Sequence, residues 1–373
     1  MNMLVSSGGT IMQCGVQMIF QSYGYGAGMS DAQVYDEEIR LGVLADQLGF
    51  DALWPVEHHF EDYAFCPDNT VFLAHMAALT RRIKLATGAV ILPWNTPLRV
   101  AEKIAMLDHL AKDRLIFGMG RGLARREYEQ FGIDMNESRA RFDEAAPMIL
   151  EALETGFIEG AGPYYAQPRA PLRPKPRASF KNRISCVAMS PDSVKAAARL
   201  GARMVIFSQK PWSEAKLAVD DYRADYRQLH QQEPPPILTC DFTYCDDDPA
   251  RAEELGRRYI AGYLTSVMHH YELAGEHLKN ARGYEAYGDA VEMLRAVGLE
   301  AMCDMYLEVQ AWGTPEQILA KLETRREIIG DHDLTLCFRF AGMPLEAAER
   351  SMRMFATKVM PALRHTGELA CSA

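Results

Sequence analysis

The sequence predicts an α/β fold, a (β/α)8 barrel, and three observations carry the prediction. Eight short apolar runs alternate with stretches of helical period along 373 residues, a rhythm that implies parallel strands buried on both faces. The runs start at Cys14, Ala52, Ile83, Arg114, Arg183, Met204, Ile237 and Leu334. That count suits a closed barrel better than an open, doubly wound sheet. The second run delivers Glu57, His58 and His59 at its C-terminal end, where the βα loops of such a barrel form its mouth.

Cys14–Phe20 is the first strand. Gln33–Leu48 follows as a helix, with Val34, Ile39, Leu41, Leu44, Ala45 and Leu48 on helical spacing and Gly49 as its stop. Ala52–Val56 is a strand, Asn69–Thr80 a helix and Ile83–Leu92 a strand. Pro97 opens a helix to Ala111, since a first turn has no use for the N–H that proline lacks. Arg114–Met119 is a strand, and a helix runs from about Asn136–Ser138 to Leu153. Pro147 is expected to kink that helix.

Beyond a Pro-rich, basic loop at Gln167–Arg177, the rhythm resumes. Arg183–Ala188 is a strand, Ser190–Leu200 a helix, Met204–Phe207 a strand and Ser213–Gln231 a helix. After the prolines Pro234–Pro236 come the strand Ile237–Tyr244 and the helix Arg251–Leu264. Thr314, Pro315 and Glu316 start a helix to Ile329, followed by the strand Leu334–Phe340 and a closing helix Leu345–Val359. The stretch from Arg251 to Asp333 exceeds one helix. Within a single domain spanning 1–373 it is therefore expected to hold an insertion, roughly 262–312, with His269, His270, Tyr271, Tyr284 and Tyr287. Insertions on this side of a barrel cover its mouth and serve as lids.

A net charge of −10 and a pI near 5.5 argue against a nucleic-acid or anionic-membrane partner. The eight cysteines are scattered without a CxxC pair, as reduced core thiols of a cytoplasmic protein are. The N-terminal MNMLVSSGGTIM lacks the basic start and apolar core of an export signal. No run approaches the ~18 apolar residues of a membrane span.

Four motifs carry chemistry. Adjacent residues on a strand face opposite ways, so His58 and His59 are not expected to share a metal, and no metal site is expected. One imidazole should face the mouth as a proton carrier, its free pKa being about 6.5; His58 is the choice. Next, Gly118, Gly120 and Gly122 alternate after the fourth strand with Arg121 among them. The glycines allow close backbone approach, and the guanidinium fork suits phosphate oxygens. The GxGxG spacing departs from the dinucleotide GxGxxG fingerprint. Third, Ser190 and Pro191 open a helix. Ser190 can cap it, and a helix start with its free N–H groups can hold a phosphate. Fourth, Gly88-Ala89 put small residues inside a core strand, through packing economy or to leave room for a flat ring.

Together GFDALWPVEHHF, TGAVILP, LDHLAKDRLIFGMGRGL, YEQFGIDMNESRARFDE, GTPEQI and AGMPLEAAERSMRMFATKVMPAL resemble the bacterial luciferase-like flavin monooxygenases. The resemblance extends from about Gly15 to Leu363. It implies a TIM barrel, usually a dimer, binding FMN at the strand C-termini. Reduced FMN (FMNH2) would come from a separate NAD(P)H:flavin reductase and react with O2 to a C4a-hydroperoxide that oxygenates a small organic substrate.

By the same resemblance His58 is the catalytic acid/base, Arg121 and Ser190 contact the FMN phosphate with Ser193 nearby, and Gly88-Ala89 match the place where a non-proline cis peptide supports the flavin ring. Glu127 matches an acid near the active site. Luciferase has a reactive cysteine where this chain has Gly120, and an acidic residue with a backbone contact to phosphate where it has Met189. Both departures point away from light emission. Two alternatives on the same barrel are F420-dependent hydride transfer, with a deazaflavin and no O2, and a non-catalytic flavin-binding partner subunit. Ala74, Ala77 and Ala78 are small enough for a helix face against a second copy.

Overall fold

The structure, a computed structural model, describes residues 11–273, 284 and 298–365. Its strands are β1 (Cys14–Met18), β2 (Ala52–Pro55), β3 (Lys84–Ala86), β4 (Val90–Ile91), β5 (Leu115–Gly120), β6 (Phe157–Gly160), β7 (Gln167–Pro171), β8 (Ile184–Val187), β9 (Arg203–Phe207), β10 (Ile237–Phe242) and β11 (His332–Cys337). All but the β6–β7 hairpin belong to one parallel sheet, ordered β3-β2-β1-β11-β10-β9-β8-β5-β4. Pairing of β3 with β5 closes the ring. With β4 continuing β3, the result is a closed barrel of eight strands with helices between them, the (β/α)8 architecture.

The helices are α1 (Asp31–Leu48), α2 (Asn69–Leu79), α3 (Pro97–Ala111), α4 (Arg125–Gln130), α5 (Ser138–Thr155), α6 (Pro191–Arg199), α7 (Trp212–His230) and α8 (Pro249–His270). After a helical stretch at 298–309 come α9 (Pro315–Ile329), α10 (Leu345–Met354), a π-helical turn (Phe355–Val359) and α11 (Met360–His365).

Alternation along each strand produces two cores. Ala52, Trp54, Ala86, Val205, Leu238 and Cys240 fill the barrel interior. Leu53, Leu85, Phe117 and Leu336 point outward to meet Leu41, Met76, Ile104 and Ile149 of the surrounding helices. Burial on both faces is why the strands read as continuous apolar runs. Helix ends are fixed locally. Ser30 and Thr314 form capping boxes with Gln33 and Gln317, Asp68 caps α2, and Gly49 closes α1 at φ 83°, which a β-carbon would disfavour.

Several expected boundaries move. The third strand, expected as unbroken Ile83–Leu92, is split into β3 and β4 by Thr87, Gly88 and Ala89, and the Gly88–Ala89 peptide is cis. Thr87 Oγ1 accepts from Gly118 N (2.7 Å) and donates to Gly118 O (2.8 Å), taking over a rung of the ladder. The eighth strand starts two residues before Leu334 and stops at Cys337, beyond which Arg339 turns to Glu37 and the Gln21 carbonyl.

The first part of the loop expected at Gln167–Arg177 is β7, antiparallel to β6. Helix α5 runs through Pro147 without ending. Helix α8 continues past Leu264 to His270, so the expected insertion begins as regular helix. Most of its remainder, Tyr287 included, lies outside the described residues. The short helix α4 had no counterpart in the sequence reading. Among the described residues, seven cysteines are free and six of them buried, and no helix is long and apolar enough to cross a membrane.

Candidate active site

The C-terminal ends of β2, β3/β4, β5, β8 and β9 and the end of α8 surround one recess. Its walls carry His58, Gly88, Ala89, Gly120, Arg121, Met189 and Ser193. These are seven of the nine residues predicted to form the site; Glu127 and Ser190 stand just behind.

At one end lies the imidazole. His58 Nδ1 meets Glu127 Oε1 at 3.0 Å, and its Nε2 faces the Tyr271 hydroxyl at 3.3 Å. The His58 side chain is 17% exposed, enough to reach a ligand, whereas Glu127 is buried. Burial penalises the Glu127 carboxylate, but His58, His270 and the backbone N–H of His59 (2.8 Å) outweigh it and hold its pKa below the ordinary value. An ionised Glu127 fixes the ring of His58 and favours a proton on Nδ1.

The neighbouring histidine does other work. His59 is buried, with its ring edge-on to Phe131 at 4.8 Å and its Nε2 3.6 Å from Glu57. Glu57 is structural as well, accepting from the Ile91 amide (3.1 Å) and the Trp94 indole (2.8 Å). Of the three polar residues of EHH, His58 and Glu57 both line the recess, Glu57 while bracing the rim, and His59 is packed away from it.

The floor is the cis Gly88–Ala89 step. Gly88 N donates to Pro55 O (2.9 Å), and Asn69 Nδ2 bridges Pro55 O and Ala89 O. Of the two readings left open for this pair, the position under the recess favours room for a flat group. A β-carbon on Gly120 would stand 2.9 Å from Ile91 Cδ1. That glycine keeps the wall thin.

The far end suits an anion. Arg121 lies under the Tyr284 ring at 3.8 Å, and Tyr284 OH donates to Gly122 O at 2.8 Å. Ser190 and Ser193 form a capping box at the start of α6, with hydroxyls 2.8 Å apart. Ser193 faces the recess, while Ser190 borders an adjoining hollow of about 500 Å³ between α6 and α7. Met189 shares both walls, and its Sδ accepts from Phe207 N (3.2 Å).

The sequence reading missed Arg139. All three of its guanidinium nitrogens are buried without a hydrogen bond. Asp143, 3.5 Å away, is its ion-pair partner and also holds Arg199 of α6 at 2.9 Å. Burial and the nearby charge of Arg121 push the Arg139 pKa down. The unmet donors of Arg139, with the charge of Arg121 nearby, fit an anionic group. Its signal was present in ESRARFDE, but one helix arginine among several does not announce itself. Glu61 and His270 were also missed as a pair: His270 Nδ1 meets Glu61 Oε2 at 2.9 Å, and the ring stacks on Tyr63 at 4.3 Å.

A family model described as luciferase-like monooxygenase matches residues 16–332. The alkanal monooxygenase alpha chain of Photorhabdus luminescens is 25% identical over 344 residues, covering 90% of this chain and 93% of the relative. That of Aliivibrio fischeri is 28% identical over 324 residues, covering 85% and 90%. Among solved structures, monooxygenase RslO1 of Streptomyces bottropensis superposes with TM-score 0.79 at 29% identity, covering 94% of this chain and 99% of that one. The FMN-bound oxygenating constituent of 3,6-diketocamphane monooxygenase from Pseudomonas putida reaches 0.74 at 18% identity, covering 94% and 99%. An F420-dependent secondary alcohol dehydrogenase reaches 0.71 at 18%, covering 95% and 100%. The last two likenesses are of fold alone.

Proposed function

The chain belongs to the luciferase-like monooxygenase family, and from that premise we propose that it oxygenates a small organic substrate with reduced FMN and O2. A separate NAD(P)H:flavin reductase supplies the reduced flavin, and the working form is a cytoplasmic homodimer. One observation carries the reading. A single recess runs from a proton-carrying dyad, His58–Glu127, over the flat Gly88–Ala89 floor to Arg121 and Ser193.

The residues fit FMN. Its phosphate would take the donors of Arg139 and Arg121 with the hydroxyls and N–H groups at the start of α6. Its ring would lie on the Gly88–Ala89 step, against the thin wall at Gly120. When bound, reduced FMN supplies the electrons that activate O2 for transfer of one oxygen atom. The protein does the rest. Glu127 orients His58, and His58 gives or takes a proton at the ring nitrogen facing the recess. Val56, Ile91, Val267 and Leu273 contribute apolar walls that exclude water.

The homodimer reading draws on Val71, Leu79, Met106 and Leu110, exposed apolar side chains of α2 and α3. Ala78 is exposed beside them, while Ala77 is buried within its own chain.

The test is anaerobic titration with reduced FMN and with F420, followed by admission of O2 over a substrate panel read by mass spectrometry. Expected are binding of reduced FMN and a product carrying one added oxygen. Binding of F420 alone with hydride transfer, or flavin binding without any product, would replace this reading with one of its two competitors.

A further inference from the structure

One cluster at the mouth extends beyond the proton-carrying pair. His58, Glu127 and His270 each present a ligand atom, all within 4.8 Å of one another. His58 Nδ1 and Glu127 Oε1 are 3.0 Å apart, and His270 Nε2 is 3.9 Å from the same oxygen. A tetrahedral ion with bonds of about 2.0–2.1 Å places its donors about 3.3 Å apart. The two separations to Glu127 bracket that value, and the two imidazole nitrogens lie within 4.8 Å of each other. His58 and His59 diverge along the strand and do not share an ion. The third donor comes instead from α8, more than two hundred residues on.

The surroundings are those of a built site. His270 is buried, and its Nε2 has no hydrogen-bond partner. Its Nδ1 meets Glu61 Oε2 at 2.9 Å, an arrangement that turns the Nε2 lone pair toward Glu127. Carboxylates in this outer position commonly orient metal-bound histidines. Glu61 is itself held by Arg126 through its other oxygen, and Tyr63 stacks flat on the His270 ring at 13°. On the other side, the Tyr271 hydroxyl meets His58 Nε2. Both imidazoles thus have a partner on the nitrogen that faces away from the cluster.

We propose that His58, Glu127 and His270 form a binding site for a divalent transition-metal ion, zinc being the best chemical match to two imidazoles and one carboxylate. A water or an oxygen atom of a small ligand takes the fourth position. The charge balance is reasonable: one ionised carboxylate contacts the ion directly and a second stands behind His270. An ion so held keeps His58 from carrying protons, so zinc acts as a reversible inhibitor. That consequence rests on the proposed reaction; the binding itself does not.

The test uses the full chain, stripped with chelator and free of flavin, in equilibrium dialysis against zinc. Expected is one zinc per chain at micromolar concentration. Affinity should fall at least tenfold in His270→Ala and in Glu127→Gln, and by about 10–100-fold in Glu61→Gln, which leaves all three ligands in place. Thermal melts of each variant check folding, and Glu61→Gln, the mildest change, keeps the test decisive if His270→Ala does not fold. Cobalt in place of zinc should give the visible absorption of a tetrahedral nitrogen–oxygen site. Absence of zinc binding by the wild type, or binding unmoved by all three substitutions, overturns the proposal. Because no flavin is present, that failure is distinct from a failure of the monooxygenase reading.

Discussion

Two neighbouring histidines of one chemistry have been given different work by their surroundings. His58 leans on a buried carboxylate and reaches the recess, whereas His59 is packed edge-on among aromatic rings. Replacing His58 by Ala should lower product formation by about 10²–10⁴-fold while flavin affinity stays within a few-fold. Single-turnover product yield alongside fluorescence-detected FMN binding measures both, and wild-type yield in the variant would remove the assigned role.

At the other end, Arg139→Ala deletes a charged donor set and should weaken FMN binding by about 10–100-fold, the range expected for one to two charge-assisted hydrogen bonds. Arg139→Lys should recover only part, since an ammonium lacks the planar fork. The sequence pointed to His58, Arg121 and Ser190 because strand ends and helix starts are legible locally. It could not pair Arg139 with Arg121, or His270 with Glu127, because helix packing sets those distances.

Among the elements, the β3–β4 break shows how a local rule yields to tertiary structure. IKLATGAVIL reads as an unbroken strand by apolarity, yet the Thr87 hydroxyl binds the backbone of Gly118 and the run divides. Here a glycine is required: a β-carbon on Gly118 would stand 2.0 Å from Thr87 O. Gly118→Ala should destabilise the fold by about 3 kcal/mol, at the upper end for overpacking, read as a lowered denaturation midpoint. The capping box at Ser190 makes a milder prediction. Ser190→Ala should cost about 1 kcal/mol of stability and weaken flavin binding as well; a loss of stability alone would mean that the serine serves only its helix. Helix α4 was not legible, since six residues give too short a period to register, although it carries Glu127.

For the whole molecule, length and rhythm were enough to predict the barrel, because eight buried strands with intervening helices leave few ways to close a sheet. What rhythm could not show was where charge is buried. His332, on β11, is pushed down to about 4 by burial and by the charge of Arg325. In the unfolded chain it titrates near its usual 6.5, so between pH 6.5 and 4 the unfolded state holds the extra proton. Its share of stability is therefore complete above pH 6.5 and drains away as pH falls toward 4. His332→Gln should flatten the decline of Tm across that window relative to wild type; an unchanged slope would show that other groups govern acid sensitivity. Sedimentation at micromolar concentration checks the dimer, with a monomer removing it.

Glu57 has a consequence beyond its own hydrogen bonds. Above the β3–β4 break, the connection from the second strand to the third is made by its carboxylate, which takes the Ile91 amide and the Trp94 indole. A peptide rung has a fixed span, but a side chain is a strut whose length mutation can change one methylene at a time. Relatives could therefore widen or narrow their entrance, and so select different molecules, without disturbing a single β-ladder.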